Sequence, residues 1–97
     1  MLTKTQIQVA SSVLRILEQE GATFAPTCTP SRGYTAAQAS HALVEADAEL
    51  DSVVIEFREE AVCFSVEIDF VDLAQNPADC IDRAMLVRRA LVNMPSN

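Results

Sequence analysis

The chain has 97 residues, of which 49% are hydrophobic and 22% are charged, and its formal net charge is −7. This length fits one domain with a modest core, and this hydrophobic content argues against intrinsic disorder. The acidic balance argues against direct binding to nucleic acid, which needs a basic face. No run of about 18 apolar residues occurs, so we expect no membrane association.

The first helix is predicted over residues 4–19. Thr3 and Gln6 match the capping box, in which the threonine oxygen accepts from a backbone N–H and the glutamine side chain reaches back. Apolar residues recur at helical spacing on one face, and Gly21 supplies the positive φ with which helices often end. The stretch lacks the uninterrupted apolar centre of a signal peptide.

The segment from Gly21 to Tyr34 is predicted as a long connection in which Pro26 and Pro30 stiffen the backbone. Residues 22–25 could instead form a short edge strand that the proline ends. Long connections are often functional, and Arg32 and Tyr34 are residue types favoured at binding hot spots. The sequence leaves these alternatives open.

A second helix is predicted over residues 36–49, because Thr35 and Gln38 repeat the capping-box pattern. The third helix is predicted over residues 77–93, with Asn76 as N-cap and Pro77 in the first helical position.

A β-hairpin between these helices has the clearest pattern in the chain. Apolar residues alternate with others from Val53 to Phe57 and from Val62 to Phe70, which indicates two strands with one buried face. The turn lacks Gly and Asn, so a four-residue loop over residues 58–61 is predicted, which pairs Phe57 with Val62. The second strand would then outrun the first and invite either a third strand or a second copy of the chain, as a homodimer.

The predicted fold is therefore a single α+β domain over residues 1–97, with the order α–α–β–β–α and an antiparallel β-hairpin packed on the helices.

Acidic residues are concentrated between residues 45 and 72, which contain ten acids and a single base, Arg58. Acids also stand near the predicted C-termini of the first two helices, where a carboxylate is unfavourable by roughly 0.3–1 kcal/mol each. These acids are Glu18, Glu20, Glu45, Asp47 and Glu49. We infer that something other than local helix stability selected these positions. The candidate partner-binding residues are Glu45, Asp47, Glu49, Asp51, Glu56, Glu59, Glu60, Glu67 and Asp69.

Carboxylates held on an ordered frame are complementary to a basic groove of the kind that binds phosphates. The leading hypothesis is a non-enzymatic interaction module of bacterial or viral origin that inhibits or neutralises a basic, nucleic-acid-binding partner protein. DNA-mimic anti-defence proteins and acidic immunity proteins are the analogy. The alternative is a homodimeric, chaperone-like adaptor that binds a client through apolar helix and strand-edge surfaces. A third interpretation is that the acids only solubilise the chain or block strand aggregation.

Catalytic and metal-binding patterns are weak. Cys28, Cys63 and Cys80 are odd in number and contain no close C-x-x-C pair, so neither a disulfide framework nor a zinc site is indicated. A reducing, cytoplasmic location is the simplest expectation. His41 is the only histidine, so a His-dependent mechanism would have to use it. With two glycines in the chain, no phosphate-binding glycine loop exists. We predict no enzymatic activity, no metal and no cofactor.

Overall fold

The computed structural model describes residues 2–46 and 51–92. Three strands form one antiparallel sheet in the order β1–β2–β3, with β2 in the centre. The predicted α+β class is confirmed, and the structure adds one strand and one short helix to the predicted order. The elements are α1 (Lys4–Gln19), β1 (Thr23–Pro26), α2 (Ala36–Glu45), β2 (Ser52–Glu59), β3 (Val62–Asp69), α3 (Phe70–Gln75) and α4 (Pro77–Val92).

Both predicted capping boxes are present. Thr3 Oγ1 accepts from the N–H of Gln6 at 3.1 Å, and Gln6 Oε1 accepts from the N–H of Thr3 at 2.8 Å. Thr35 and Gln38 make the same two bonds at 3.2 and 2.9 Å. Because each box satisfies two backbone N–H groups that the helix cannot, it fixes where α1 and α2 begin. The predicted last turn of the second helix, residues 47–49, lies outside the described residues.

The core lies between the helices and one face of the sheet. α2 packs on β1, α4 packs on β2 and β3, and α1 packs against the other three helices. Cys80 is fully buried in this core, and burial raises the pKa of its thiol. The largest fully buried side chains include Phe24, Leu14, Leu17, Leu43, Ile55, Ile68 and Leu73.

The register of the hairpin differs from the prediction. Phe57 lies opposite Phe64, not Val62, and the turn contains only residues 60–61. Shifting a strand by two residues keeps the same side chains on the buried face, so the alternation could not distinguish the two registers. The observed register pairs all eight residues of each strand, and β3 does not outrun β2. The tight turn requires Glu60 at φ 53°, a strain of about 1–2 kcal/mol that the longer ladder offsets.

The alternative of a short strand after Gly21 is confirmed, and this strand includes Pro26. Phe24 exchanges two backbone hydrogen bonds with Tyr34, at 3.0 and 2.8 Å, so its N–H and C=O point away from β2. Pro26 lies two residues further and has the same orientation. Its missing N–H therefore removes no bond to β2, which is why proline does not end the strand.

Two acids near the C-terminus of α1 have structural partners. Glu18 Oε2 accepts from the N–H of Ala36 at 2.8 Å, in the first turn of α2. Arg88 of α4 donates from Nε to the backbone oxygen of Glu20 at 2.8 Å, and the Glu20 carboxylate lies 3.8 Å from the same nitrogen. An unfavourable position at the end of α1 is thus offset by a favourable contact with another helix, so these acids need no external partner to explain them.

We expect Glu18→Ala to lower the free energy of unfolding by about 0.5–1 kcal/mol, because the first turn of α2 loses a charge-assisted backbone hydrogen bond. Urea denaturation followed by circular dichroism measures this. The matched control is Glu59→Ala, an exposed acid at the hairpin end, for which a change within about 0.5 kcal/mol is expected. Equal losses for both variants would contradict the capping role of Glu18.

Candidate protein-binding face of the sheet

The face of the sheet opposite the core is polar, and we call it the outer face. Successive strand residues point to opposite sides of the sheet, so the outer face consists of the residues that alternate with the core-facing residues on each strand. On β3 every outer-face residue is exposed, whereas on β2 Ser52 and Glu56 are buried. The outer face contains Thr23, Ala25, Ser52, Val54, Glu56, Arg58, Cys63, Ser65, Glu67 and Asp69.

The predicted acidic residues do not form one patch. Glu67 and Asp69 are exposed at one end of the outer face, and Asp51 precedes β2 at the same end. Glu59 and Glu60 lie at the hairpin turn, at the other end of the eight-residue strand β2. Strands rise about 3.3 Å per residue, so about 23 Å separates the two ends. A partner of small size would therefore contact one group or the other.

The remaining predicted acids lie away from the outer face or outside the described residues. Glu45 is exposed near the end of α2, where its carboxylate is 3.7 Å from Nε2 of His41. Asp47 and Glu49 lie outside the described residues.

Glu56, one of the candidate partner-binding residues, is not a free surface carboxylate. It is only 4% exposed, although it faces away from the core. Arg32 donates to it from Nη2 at 2.9 Å and from Nε at 3.4 Å, and Cys63 Sγ donates at 3.4 Å. The hydrogen bonds from Arg32 lower the pKa of Glu56 below its ordinary value, against the opposite effect of burial. Glu56 is thus ionised and already paired.

The connection between β1 and α2 lies over the β1 and β2 part of the outer face, and we call residues 27–34 the strap. At one end, the Thr27 N–H donates to the Ser52 carbonyl oxygen at 2.9 Å; at the other, Tyr34 bonds to Phe24. Hydrogen bonds with Ser31 and Thr29 lower the pKa of Tyr34. A shallow cleft of about 220 Å³ separates the strap from the sheet, and Glu56 is part of its lining.

β3 is an edge strand with a free side. The N–H of Phe70 donates to the carbonyl oxygen of Asp51 at 3.0 Å, which continues the ladder between β2 and β3. Backbone groups on a strand alternate in direction, so Cys63, Ser65 and Glu67 direct their N–H and C=O groups away from β2. Within residues 2–46 and 51–92, no hydrogen bond to these outward groups forms.

Two carboxylates on this edge strand have no basic partner in the described part of the chain. No arginine or lysine nitrogen there lies within 4.0 Å of Glu67 or Asp69. Asp72, by contrast, is paired with Arg83 at 3.9 Å. The free edge of β3 therefore combines outward-facing backbone groups with negative charge that no base among the described residues neutralises.

The cysteines and the histidine have different hydrogen-bond and ion-pair partners. Cys63 is exposed and donates to Glu56, whereas Cys28 is half-buried and donates to the Ala42 carbonyl oxygen at 3.7 Å. His41 contacts Glu45. Among the described residues, no three potential ligands of the His, Cys, Asp and Glu types cluster as a metal site would require.

Apolar surface is present on the helices as well. A groove between α1 and α4, with Ile16 and Ile81 in its lining, has a volume of about 280 Å³. Exposed large apolar residues occur on three helices, namely Ile16, Val44, Leu86 and Val92. No helix in the described ranges has the length and apolar character needed to cross a membrane.

Comparison with known proteins gave no match: no family model, no curated protein and no solved structure is significantly similar to this chain. The free edge of β3 and the charges beside it are therefore the observations from which a function can be inferred.

Proposed function

We propose that this protein is a non-enzymatic interaction module that binds a basic, extended segment of a partner protein along the free edge of β3. One observation supports this above all: the strand with outward-facing backbone groups also carries the unpaired Glu67 and Asp69. In strand addition, main-chain hydrogen bonds supply affinity and alternate side chains supply specificity. The partner is therefore chosen by the side chains that it places on the outer face.

Lysine or arginine at alternate positions of the segment would lie beside Glu67 and Asp69 on the outer face. Opposite charges directly across neighbouring strands contribute roughly 0.2–1 kcal/mol per pair. The intervening side chains would point to the core side, where the half-buried Val62, Phe64 and Val66 pack against the core. An alternating basic and apolar segment thus fits both sides of the edge. Occupying a partner's phosphate-binding segment in this way would inhibit that partner.

A second copy of the chain fits this edge less well. Antiparallel pairing of two β3 strands about Ser65 would place Glu67 of one copy opposite Cys63 of the other, and Asp69 opposite Ala61. Opposite charges directly across a strand pair are stabilising, and this pairing places no cation directly opposite either carboxylate. A basic segment supplies these cations, and so charge complementarity favours it over the homodimer.

The proposal is tested with a synthetic ten-residue peptide in which lysine alternates with valine and threonine. The control peptide has the same composition with its lysines grouped at one end. Calorimetry gives the affinity, and ¹H–¹⁵N spectra locate the binding. We expect shifts at the amides of Cys63, Ser65 and Glu67 for the alternating peptide, and weaker binding at 500 mM than at 50 mM salt.

Charge-reversed variants distinguish specific binding at the edge of β3 from a general electrostatic attraction to the acidic protein. Glu67→Lys with Asp69→Lys should weaken peptide binding at least about tenfold, because two attractions become repulsions. Glu59→Lys with Glu60→Lys is the matched control, since it changes the net charge equally at the other end of the hairpin.

Proline at Ser65 removes an outward N–H without changing charge, and an edge strand tolerates it, so binding should fall. Equal effects of the two reversals, together with no effect of Ser65→Pro, would refute strand addition. A dimer in sedimentation equilibrium that Ser65→Pro dissociates would favour the second copy instead.

A further inference from the structure

Arg32 neutralises an acid of the outer face, as we propose for the basic side chains of a partner. Glu56 lies opposite Ser65, and Glu67 is the next outer-face residue beyond Ser65 on β3. Such diagonal neighbours have Cα atoms roughly 7–8 Å apart. Glu56, Glu67 and Asp69 are therefore successive acids of one face. Arg32, which neutralises Glu56, reaches it from the strap and not from the sheet.

The middle of the strap is attached to the sheet by few polar contacts. Within the described residues, residues 29–32 contact the sheet through the Thr29 N–H, which donates to the Pro26 carbonyl oxygen at 3.1 Å, and through Arg32. The Ser31 N–H bonds locally to Thr29 Oγ1 at 3.0 Å. The Arg32–Glu56 ion pair is therefore the polar contact that holds the middle of the strap against β2.

The two members of this ion pair differ in exposure. The Arg32 side chain is 71% exposed, whereas that of Glu56 is 5% exposed. Opening the strap breaks this ion pair and leaves the Glu56 carboxylate to water alone, so a cation that replaces Arg32 favours the open state. Strap opening is thereby coupled to the arrival of a basic group.

We infer that the strap is a displaceable, autoinhibitory cover, in which Arg32 competes with a basic partner segment for Glu56. This inference rests on the proposed function, because the incoming cation belongs to the segment that pairs with β3. Displacement extends the binding face from β3 to β2 and exposes the cleft beneath the strap. A segment with an additional basic side chain directed towards β2 is thus preferred.

The arginine side-chain Nε–H signals of the wild-type protein test this directly. Arg32 donates its Nε–H to Glu56, and Arg88 donates its Nε–H to the Glu20 carbonyl oxygen, so Arg88 is an internal control. On saturation with the alternating lysine peptide, we expect the Arg32 signal to shift or to exchange rapidly with water, while the Arg88 signal stays unchanged. Arg32→Gln should also bind the peptide about three- to tenfold more tightly, since the internal competitor is gone.

The outcomes of this experiment distinguish the strap inference from the proposed binding at the edge of β3. Peptide binding that shifts the β3 amides but leaves the Arg32 signal unchanged would overturn the strap inference and leave the proposed function intact. Absence of peptide binding would overturn both. Unchanged or weaker binding by a folded Arg32→Gln variant would also contradict competition, and if that variant does not fold, the wild-type spectra decide.

Discussion

Replacing Phe24 with alanine is expected to lower the free energy of unfolding by about 3–5 kcal/mol. Phe24 is completely buried and is among the largest buried side chains of the protein. It lies opposite Ile55 on the central strand and bonds to Tyr34 through its backbone. Its removal leaves a cavity at the point where β1, β2 and the end of the strap meet, and a four-residue strand has few other contacts with which to compensate.

Urea denaturation followed by circular dichroism measures this loss, with Phe64→Ala as the matched control. Phe64 has the same side chain but is only partly buried on the edge strand, so a smaller loss is expected. If Phe24→Ala cost no more than Phe64→Ala, β1 would not be anchored through the core. Hydrogen exchange would add a second check, because the amides of β1 should lose protection before those of β3.

The helix starts could be predicted because their determinants are local. A capping box needs two side chains three residues apart, and both pairs, Thr3 with Gln6 and Thr35 with Gln38, form as expected. Pro77 likewise begins α4, as its fixed φ favours.

The sheet was less predictable because its determinants are distant in sequence. A two-residue shift of register leaves the same faces buried, so alternation alone could not pair Phe57 with Phe64. Phe70 continues the apolar alternation of β3 but is the first residue of α3 and is buried there. The strand containing Phe24 depends on partners at Ile55 and Tyr34 that no local pattern identifies.

The candidate site was likewise predictable where its determinants are local and unpredictable where they are distant in sequence. Alternation placed Glu67 and Asp69 on the polar side of their strand, and both are exposed there. By the same rule Glu56 should be exposed, but Arg32, 24 residues away in sequence, covers and neutralises it. A count of charges along the sequence cannot account for ion pairs between residues that are distant in sequence. The number of acids between residues 45 and 72 therefore overstated the negative charge that a partner could contact. That charge is concentrated at fewer positions than the sequence suggested.

The Arg32–Glu56 pair is also expected to give two variants a loss of stability that shrinks in acid, one more steeply than the other. The folded pKa of Glu56 lies below its ordinary value, so the pair stabilises the protein above the usual glutamate pKa of about 4.3. That contribution is lost as the pH falls through the still lower folded pKa. The advantage of the wild type over Glu56→Gln should therefore shrink between pH 7 and pH 3.

The deficit of Arg32→Ala should shrink in acid more steeply than that of Glu56→Gln, because an unpaired buried carboxylate has a raised pKa and is relieved by protonation. Its deficit should be largest at neutral pH and smallest in acid. Arg58→Ala is the control, since Arg58 is an exposed arginine of the same face and acts on Glu56 only through space. Urea midpoints at several pH values measure all three. Parallel pH profiles for Arg32→Ala and Arg58→Ala would mean that solvent, and not Arg32, satisfies the Glu56 carboxylate. Water could then replace Arg32 as well as a basic segment could, and strap opening would not select a basic partner.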